Sequence, residues 1–100
     1  MNNMLLLQIF LSHKREAPGP GIFEVSYDKE DMHLECNCPG FISKSSCKHT
    51  RLVQGRIDKN GGMYPWEFSK KFTPAELADA VDNPAAFREL VVKYGKIEVY

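Results

Sequence analysis

All three cysteines of this 100-residue chain lie within twelve residues, and a histidine stands close behind the last of them. The pattern is C-x-C-x8-C-x-H, formed by Cys36, Cys38, Cys47 and His49. An odd number of cysteines cannot pair fully in intramolecular disulfides, and clustered thiols are typical of a metal site in a reducing compartment. Three thiolates and one imidazole suit tetrahedral zinc. The pattern therefore predicts one bound Zn²⁺ in a cytoplasmic protein; the alternative is three buried, reduced cysteines without a metal.

The spacing also predicts which elements carry these ligands. Alternate residues of a strand point to the same face, so the end of a strand can present Cys36 and Cys38 together. Residues two apart in a helix diverge by roughly 200°, so we expect Cys47 just before a helix and His49 in its first turn. The helix dipole at that position favours a thiolate. Because four protein ligands leave no open position for water or substrate, the zinc is predicted to be structural.

A metal also answers the question of how so short a chain becomes stable. A chain of this size buries only about 60–65% of the surface that its unfolded form exposes, so an apolar core alone is marginal. Structural zinc in small modules contributes on the order of 10–16 kcal/mol at neutral pH. That contribution exceeds the free energy of unfolding of a typical domain. We therefore expect the metal to be part of the fold.

The hydrophobic patterning predicts a small α+β fold in a single domain over residues 1–100. Residues 4–12 are predicted to form a buried strand, because this apolar run is too short to span a bilayer, which needs about 20 residues. A signal or membrane anchor is the less favoured alternative. Residues 23–27 and 32–36 alternate in hydropathy, which predicts an antiparallel hairpin.

A short helix is predicted from about residue 47 to residue 54, with His49, Leu52 and Val53 on one side. If this helix continued, Arg56 would fall in the middle of the apolar stripe, so Gly55 is predicted to end it. The hairpin and the helix together form a predicted ββα zinc module over residues 22–55.

The C-terminal part, residues 72–100, is predicted to contain two helices and a short strand. Thr73-Pro74-Ala75-Glu76 is a capping box with proline at the first helical position, and Asn83-Pro84 repeats the signal. The expected inner stripe of the first helix is Leu77, Ala78 and Val81. That of the second helix, which ends at Gly95, is Phe87, Leu90, Val91 and Tyr94. Ile97 and Val99 mark a last strand, predicted to pair with the N-terminal one.

Residues 22 to 53 resemble the SWIM-type zinc finger, whose pattern is C-x-C, a variable spacer, and C-x-H at the start of a helix. The Pro-Gly-Phe sequence after Cys38 and the Cys-Lys-His step at residues 47–49 also look like this family. The resemblance implies zinc on Cys36, Cys38, Cys47 and His49 in a ββα unit. SWIM modules occur in transposases, chromatin-remodelling ATPases, ubiquitin ligases and recombination mediators, where they are proposed to bind DNA or proteins.

Charge does not select a partner class by itself, because 13 Lys and Arg balance 13 Asp and Glu. The charges are nevertheless segregated into an acidic hairpin and a basic segment over residues 41–60, which suits electrostatic complementarity with a partner. The first hypothesis is therefore a non-enzymatic accessory protein that acts as a protein-interaction adaptor. Tyr64 and Trp66 are residue types favoured at interfaces. Their alternative role is to pack the two halves of the chain together.

The second hypothesis is nucleic-acid binding through the basic segment. Cations there would contact phosphates of DNA or RNA without sequence choice, and Tyr64 or Trp66 would stack on an unpaired base. The candidate cations are Lys44, Lys48, Arg51, Arg56 and Lys59. Two observations oppose this hypothesis: the cations can simply balance the negative charge of a zinc–thiolate centre, and the nearby acidic hairpin repels phosphate. Its acids are Glu24, Asp28, Glu30, Asp31 and Glu35.

An enzyme is the least favoured class. The sequence shows no Ser-His-Asp set, paired-carboxylate motif or phosphate-binding glycine loop, so neither catalysis nor a small-molecule substrate is expected. No membrane partner is expected either. The remaining histidines, His13 and His33, are expected at the surface, because His33 lies three residues before Cys36 on the strand and alternation turns it away from the ligands.

Overall fold

The computed structural model describes residues 4–11, 21–68 and 73–100. His13 and the first residue of the predicted C-terminal part, residue 72, lie outside these ranges. The chain forms a four-stranded sheet and four helices within the described residues. In chain order the elements are β1 (Met4–Leu11), β2 (Ile22–Asp28), β3 (His33–Cys36), α1 (Pro39–Lys44), α2 (Lys48–Lys59), α3 (Pro74–Ala80), α4 (Pro84–Tyr94) and β4 (Ile97–Val99). The predicted α+β fold class is confirmed.

The sheet has the strand order β3-β2-β1-β4. β2 is antiparallel to both β1 and β3, whereas β4 pairs in parallel with β1 through Ile9↔Ile97, Phe10↔Glu98 and Leu11↔Val99. The predicted hairpin and the predicted pairing of the two terminal strands are thus confirmed.

The first strand lies inside the sheet and is covered on both faces. Leu7 and Phe10 pack in one cluster with Val53 of α2, while Leu6 and Ile9 pack with Val91 of α4. A shift in the β1–β2 register between Leu6 and Gln8 lets the side chains of Leu7 and Gln8 both reach the α2 side. The apolar run is therefore a buried strand. None of the helices in the described ranges has the length and apolar character that crossing a bilayer requires.

The spacer between Cys38 and Cys47 contains the helix α1, which the sequence analysis did not predict. Cys38 has extended backbone angles at the N-cap position, and Pro39 occupies the first turn, where its missing N–H costs no hydrogen bond. Ser45 ends the helix in the left-handed conformation with φ 57°. Because α1 buries no residue, its sequence carries no apolar period from which it could have been predicted. The helix turns the chain back so that Cys47 returns to Cys38.

Gly55 does not end the second helix, contrary to the prediction, and α2 continues to Lys59. Arg56 is accommodated on the inner side because its guanidinium has polar partners there. Nη2 donates to Glu98 Oε1 at 2.8 Å, and Nη1 donates to the Tyr64 hydroxyl at 3.1 Å. The helix ends instead at Asn60, before Gly61 and Gly62, which have φ values of +71° and +95°.

Both C-terminal helices begin as predicted. The Thr73 hydroxyl accepts from Glu76 N, and the Glu76 carboxylate accepts from Thr73 N, which completes the capping box. The Asn83 side chain accepts from the backbone N–H groups of Ala85 and Ala86. These caps satisfy amides that have no partner inside the helix.

The predicted inner stripe of α3 is wrong, whereas that of α4 is confirmed. Leu77 and Val81 are 47% and 68% exposed, and the buried residue of α3 is Ala80. Ala80 packs in one cluster with Leu90 and Tyr94, so the buried contact of α3 with α4 is made by a small side chain. In α4, Leu90, Val91 and Tyr94 are buried and Phe87 is half-buried. The helix ends at Gly95, where a Cβ would lie 2.4 Å from the carbonyl oxygen of Val91.

Candidate metal centre

The four predicted ligands converge at the end of the hairpin. Cys36 is the last residue of β3, Cys38 is the N-cap of α1, and Cys47 is the N-cap of α2. His49 is the second residue of α2, so it lies in the first turn of that helix. All four side chains are buried, with relative exposures of 3–6%. They form a group that can hold one metal ion.

The distances between the donor atoms suit a single ion. All four donor atoms lie within 4.8 Å of one another. His49 Nδ1 is 3.9 Å from Cys36 Sγ and 3.8 Å from Cys47 Sγ. Tetrahedral zinc with ordinary bond lengths separates a sulfur from a nitrogen by about 3.5 Å and two sulfurs by about 3.8 Å. The site is therefore close to the geometry that tetrahedral coordination requires.

Local hydrogen bonds change the pKa of the Cys47 thiol. Burial by itself raises the pKa of Cys47, but hydrogen bonds from the backbone and side chain of Thr50, together with those of the Cys38 and Cys36 thiols, lower the net pKa below its ordinary value. Thr50 N donates to Cys47 Sγ at 3.4 Å, and Cys47 N donates back to Thr50 Oγ1 at 3.1 Å. The same reciprocal pair that caps α2 therefore favours the thiolate, which is the form that binds metal.

The other ligands respond mainly to burial. Burial raises the pKa of the Cys36 thiol, and the neighbouring thiols of Cys38 and Cys47 raise it further. A coordinated metal would reverse this preference, because it supplies the largest local charge and binds thiolates. Burial also lowers the pKa of His49, with a smaller contribution from Lys48. His49 is thus held as a neutral imidazole, which is the form that can donate to a metal.

Three aromatic rings enclose the His49 imidazole. The centroids of Phe10, Phe23 and Tyr100 lie 5.1, 5.4 and 5.8 Å from that of His49. Nδ1 lies among the thiols, while Nε2 is buried and has no hydrogen-bond partner among the residues that the structure describes. The imidazole therefore offers Nδ1 to the metal and is held in place by packing. The sequence analysis did not assign Phe10, Phe23 or Tyr100 to the site, because no spacing rule links them to it.

His33 lies outside the thiol cluster, as predicted, and is exposed on the hairpin. Its Nε2 is 3.7 Å from Glu35 Oε1, and these two residues form a second group of possible ligand atoms with Asp28. This group is open to solvent and contains no thiol. Exposed carboxylates of this kind are common without a metal, so the buried cluster is the candidate centre.

A groove of about 410 Å³ runs beside the buried cluster. We call it the metal-side groove, and its lining residues are Phe23, Cys38, Pro39, Gly40, Lys44, Ser46, Cys47, Lys48, His49 and Arg51. It brings together three of the five cations that the sequence analysis assigned to nucleic-acid binding. Lys59 is exposed at the other end of α2, whereas Arg56 is bound to Glu98.

The described cations fall into two groups, which differ in whether they form ion pairs. Arg56, Arg88, Lys93 and Lys96 each form an ion pair, with Glu98, Glu24, Glu76 and Glu67 respectively. Within the described ranges, Lys44, Lys48, Arg51 and Lys59 have no carboxylate partner. Lys48 Nζ lies 4.9 Å from the Tyr100 ring centroid, and Arg51 Nη1 donates to Ser46 Oγ at 3.3 Å. The positive charge around the groove is therefore not balanced by a neighbouring acid.

Tyr64 and Trp66 pack the two halves of the chain together, which is the alternative role that the sequence analysis left open. Tyr64 is 6% exposed, and its hydroxyl donates to Gln8 Oε1 at 2.6 Å. Trp66 is half-buried and meets Tyr64 and Phe87 edge to face. Tyr64 therefore has almost no surface to offer to a partner protein or to a base.

The chain matches no protein-family model, no curated protein and no solved structure. The candidate site therefore stands on the chemistry of its own residues. The four buried donors could hold one metal ion, and a full set of four protein ligands is typical of structural metal sites.

Proposed function

We propose that this protein is a non-enzymatic zinc-binding protein of the SWIM type, in which one structural Zn²⁺ joins the hairpin to α1 and α2. The observation that carries this proposal is the buried Cys₃His cluster with C-x-H at the start of a helix. Thiolate-rich tetrahedral sites favour zinc or iron–sulfur chemistry, and a single imidazole at this spacing is a common zinc ligand. The ion would connect β3 to both helices.

We propose further that the surface of α1 and α2 binds the phosphate backbone of DNA or RNA. The cations of the metal-side groove support this, because none of them has an ion pair among the described residues. A zinc ion with three thiolates carries one net negative charge, which Lys44, Lys48 and Arg51 together exceed. Charge balance at the metal therefore accounts for only part of the basic surface.

The acidic hairpin opposes phosphate binding less strongly in the structure than the sequence suggests. Strand alternation places Glu24 and Glu35 on the sheet face opposite Phe23 and Cys36, which belong to the groove and the metal cluster. Glu24 is in addition paired with Arg88 of α4. These carboxylates thus line a separate groove with Cys36 and Ile42, and they are not among the residues that line the metal-side groove.

The test is fluorescence anisotropy of zinc-loaded protein with labelled DNA over a range of salt concentrations. We expect log affinity to fall linearly with log salt, with a slope that estimates the number of phosphate contacts. Lys48→Ala and Arg51→Ala should each weaken binding with the zinc content unchanged. Lys29→Ala removes the same charge at the hairpin turn and is the matched control. Absence of binding at low salt, or equal loss in the control, would contradict the proposal.

A protein-interaction adaptor is the second candidate, and the exposed apolar residues of α3 favour it. Leu77 and Val81 line a groove of about 320 Å³ together with Leu5, Ala80 and Phe87. An adaptor would bind its partner in a salt-tolerant way. Val81→Asp would then abolish that binding, whereas Lys48→Ala would leave it intact; the reverse pattern would assign the interaction to the basic surface.

A further inference from the structure

We propose that the metal-side groove receives one nucleotide of an unpaired nucleic-acid strand, with its phosphate on Lys44, Lys48 and Arg51 and its base against the ring of Phe23. This inference rests on the proposed nucleic-acid binding and names the form of nucleic acid and the site. The observation that carries it is that one groove combines an aromatic wall with cations that form no ion pair with any described residue.

The aromatic wall is fixed in place. Phe23 is half-buried on β2, and its ring lies 5.4 Å from His49 at an interplanar angle of 41°. The packing of this ring against a metal ligand orients it without covering it fully, because it still lines the groove. A rigid, partly exposed ring is a suitable platform for a base, since every base has a π-face to stack.

The cations come from two helices that meet at the groove. Lys44 is the last residue of α1, while Lys48 and Arg51 lie in the first turn of α2. Ser46 between the helices accepts a hydrogen bond from Arg51 and also lines the groove. The positive end of the α2 dipole adds to their charge. A phosphate here would meet several donors, and none of the described residues that line the groove is an aspartate or glutamate.

The size of the groove agrees with one nucleotide. Its volume of about 410 Å³ falls within the range of small-molecule sites. The groove lined by Glu24, Glu35 and Ile42 is similar in volume, at about 440 Å³, but its lining contains two carboxylates and no cation. Charge therefore distinguishes the metal-side groove from its neighbour on the hairpin.

The geometry favours an unpaired strand over a duplex. In a duplex the bases are stacked inside and their faces are covered by neighbours, so Phe23 could not reach one of them. An unpaired strand can turn a base outwards and stack it on a protein ring. A duplex would use the cations alone and would be bound more weakly.

The experiment uses three labelled 15-mers and the zinc-loaded full chain. They are single-stranded oligo-dT, an abasic strand with the same phosphates, and a duplex. We expect the wild-type protein to bind oligo-dT on the order of tenfold more tightly than the abasic strand, because stacking is lost in the latter. Phe23→Leu should reduce the affinity for oligo-dT to the abasic level, and Phe23→Tyr should retain it. Zinc content and the thermal transition are measured for each variant.

The outcomes separate this inference from the proposal on which it rests. Equal affinity for oligo-dT, the abasic strand and the duplex would overturn the nucleotide site and leave phosphate binding intact. Full binding of oligo-dT by zinc-loaded Phe23→Leu would also overturn it. No binding of any probe would contradict the nucleic-acid proposal itself. If Phe23→Leu loses zinc, the ratio of oligo-dT to abasic affinity in the wild-type protein still decides the question.

Discussion

The two ends of this molecule are stabilised in different ways. In the metal half, which comprises β3, α1 and α2, α1 buries no residue, and the buried residues of α2 are His49, Thr50 and Val53. In the helical half, which comprises α3 and α4, an apolar stripe on α4 packs against the sheet and against α3, and both helices have side-chain caps. Most of the buried side chains of the metal half are therefore candidate metal ligands.

The difference indicates how a bound metal would add to the apolar core of the metal half. Thiols and an imidazole occupy positions where a larger domain would place aliphatic side chains, and burial favours their neutral forms, because it raises the pKa of Cys36 and lowers that of His49. The helical half obtains its stability from apolar burial, capping and ion pairs, which need no ligand. Charge follows a similar division among the described residues, since Lys44, Lys48, Arg51 and Lys59 form no ion pair, whereas the cations of α4 do.

Cys47→Ser should break the metal half and have the largest effect. The substitution removes a candidate metal ligand, whereas the serine hydroxyl can still cap α2, so we expect loss of stoichiometric zinc and of the cooperative thermal transition through the loss of the metal. The lost contribution is on the order of 10 kcal/mol, as for other structural zinc sites. Zinc content measured with a chromogenic chelator and melting followed by circular dichroism will test this.

Hydrogen exchange of the metal-free protein tests the same comparison between the metal half and the helical half. Amides of α2 should lose protection before those of α4, because α4 buries Leu90, Val91 and Tyr94, whereas Val53 is the only aliphatic side chain that α2 buries fully. A metal-free protein that melts normally, with protected α2 amides, would contradict a structural role for the metal.

Gly95→Ala should destabilise the helical half and leave the metal centre unchanged. An added Cβ would lie 2.4 Å from the carbonyl oxygen of Val91 and 3.1 Å from its Cγ1, so the backbone must shift at the end of α4. Overpacking of this kind costs about 1–3 kcal/mol. Chemical denaturation measures the change in the free energy of unfolding. A reduced zinc content in this variant would mean that the two halves are less independent than we infer.

Features that depend on neighbouring residues in the chain could be predicted from the sequence. The four metal donors were found because donor chemistry and spacing are local, and the caps at Thr73 and Asn83 because a cap involves residues two or three positions apart. The stripe of α4 was found because helical periodicity is a property of one segment.

Features that depend on distant partners could not be predicted in this way. The continuation of α2 past Gly55 depends on Arg56 meeting Glu98, which lies 42 positions further along the chain. The exposure of Leu77 depends on how closely α4 approaches Ala80. The aromatic rings around His49 come from β1, β2 and the residue after β4. No local sequence pattern brings these three positions together.

Gly55→Ala should stabilise the metal half, and it tests the corrected boundary of α2 directly. Gly55 lies inside the helix, and an added Cβ would meet nothing within 4 Å. Alanine in a helix interior is more favourable than glycine by about 0.5–1 kcal/mol. Gly61→Ala is the matched control of opposite sign, because φ is +71° there and an L-residue is strained. If Gly55→Ala instead lowered the free energy of unfolding, the assignment of Gly55 to the interior of α2 would be contradicted.

His33→Ala should change the free energy of unfolding least. It tests whether His49, rather than His33, is the histidine ligand. His33 is exposed on β3, where it faces Glu35 and lies outside the thiol cluster. We expect one zinc per chain, as in the unmodified protein, and a free energy of unfolding within about 0.5 kcal/mol of it, as for other surface substitutions. His49→Ala is the paired variant and should lose the metal. If His33→Ala lost zinc and His49→Ala retained it, the ion would belong to the hairpin surface, and the contrast between the two halves would lose its physical basis.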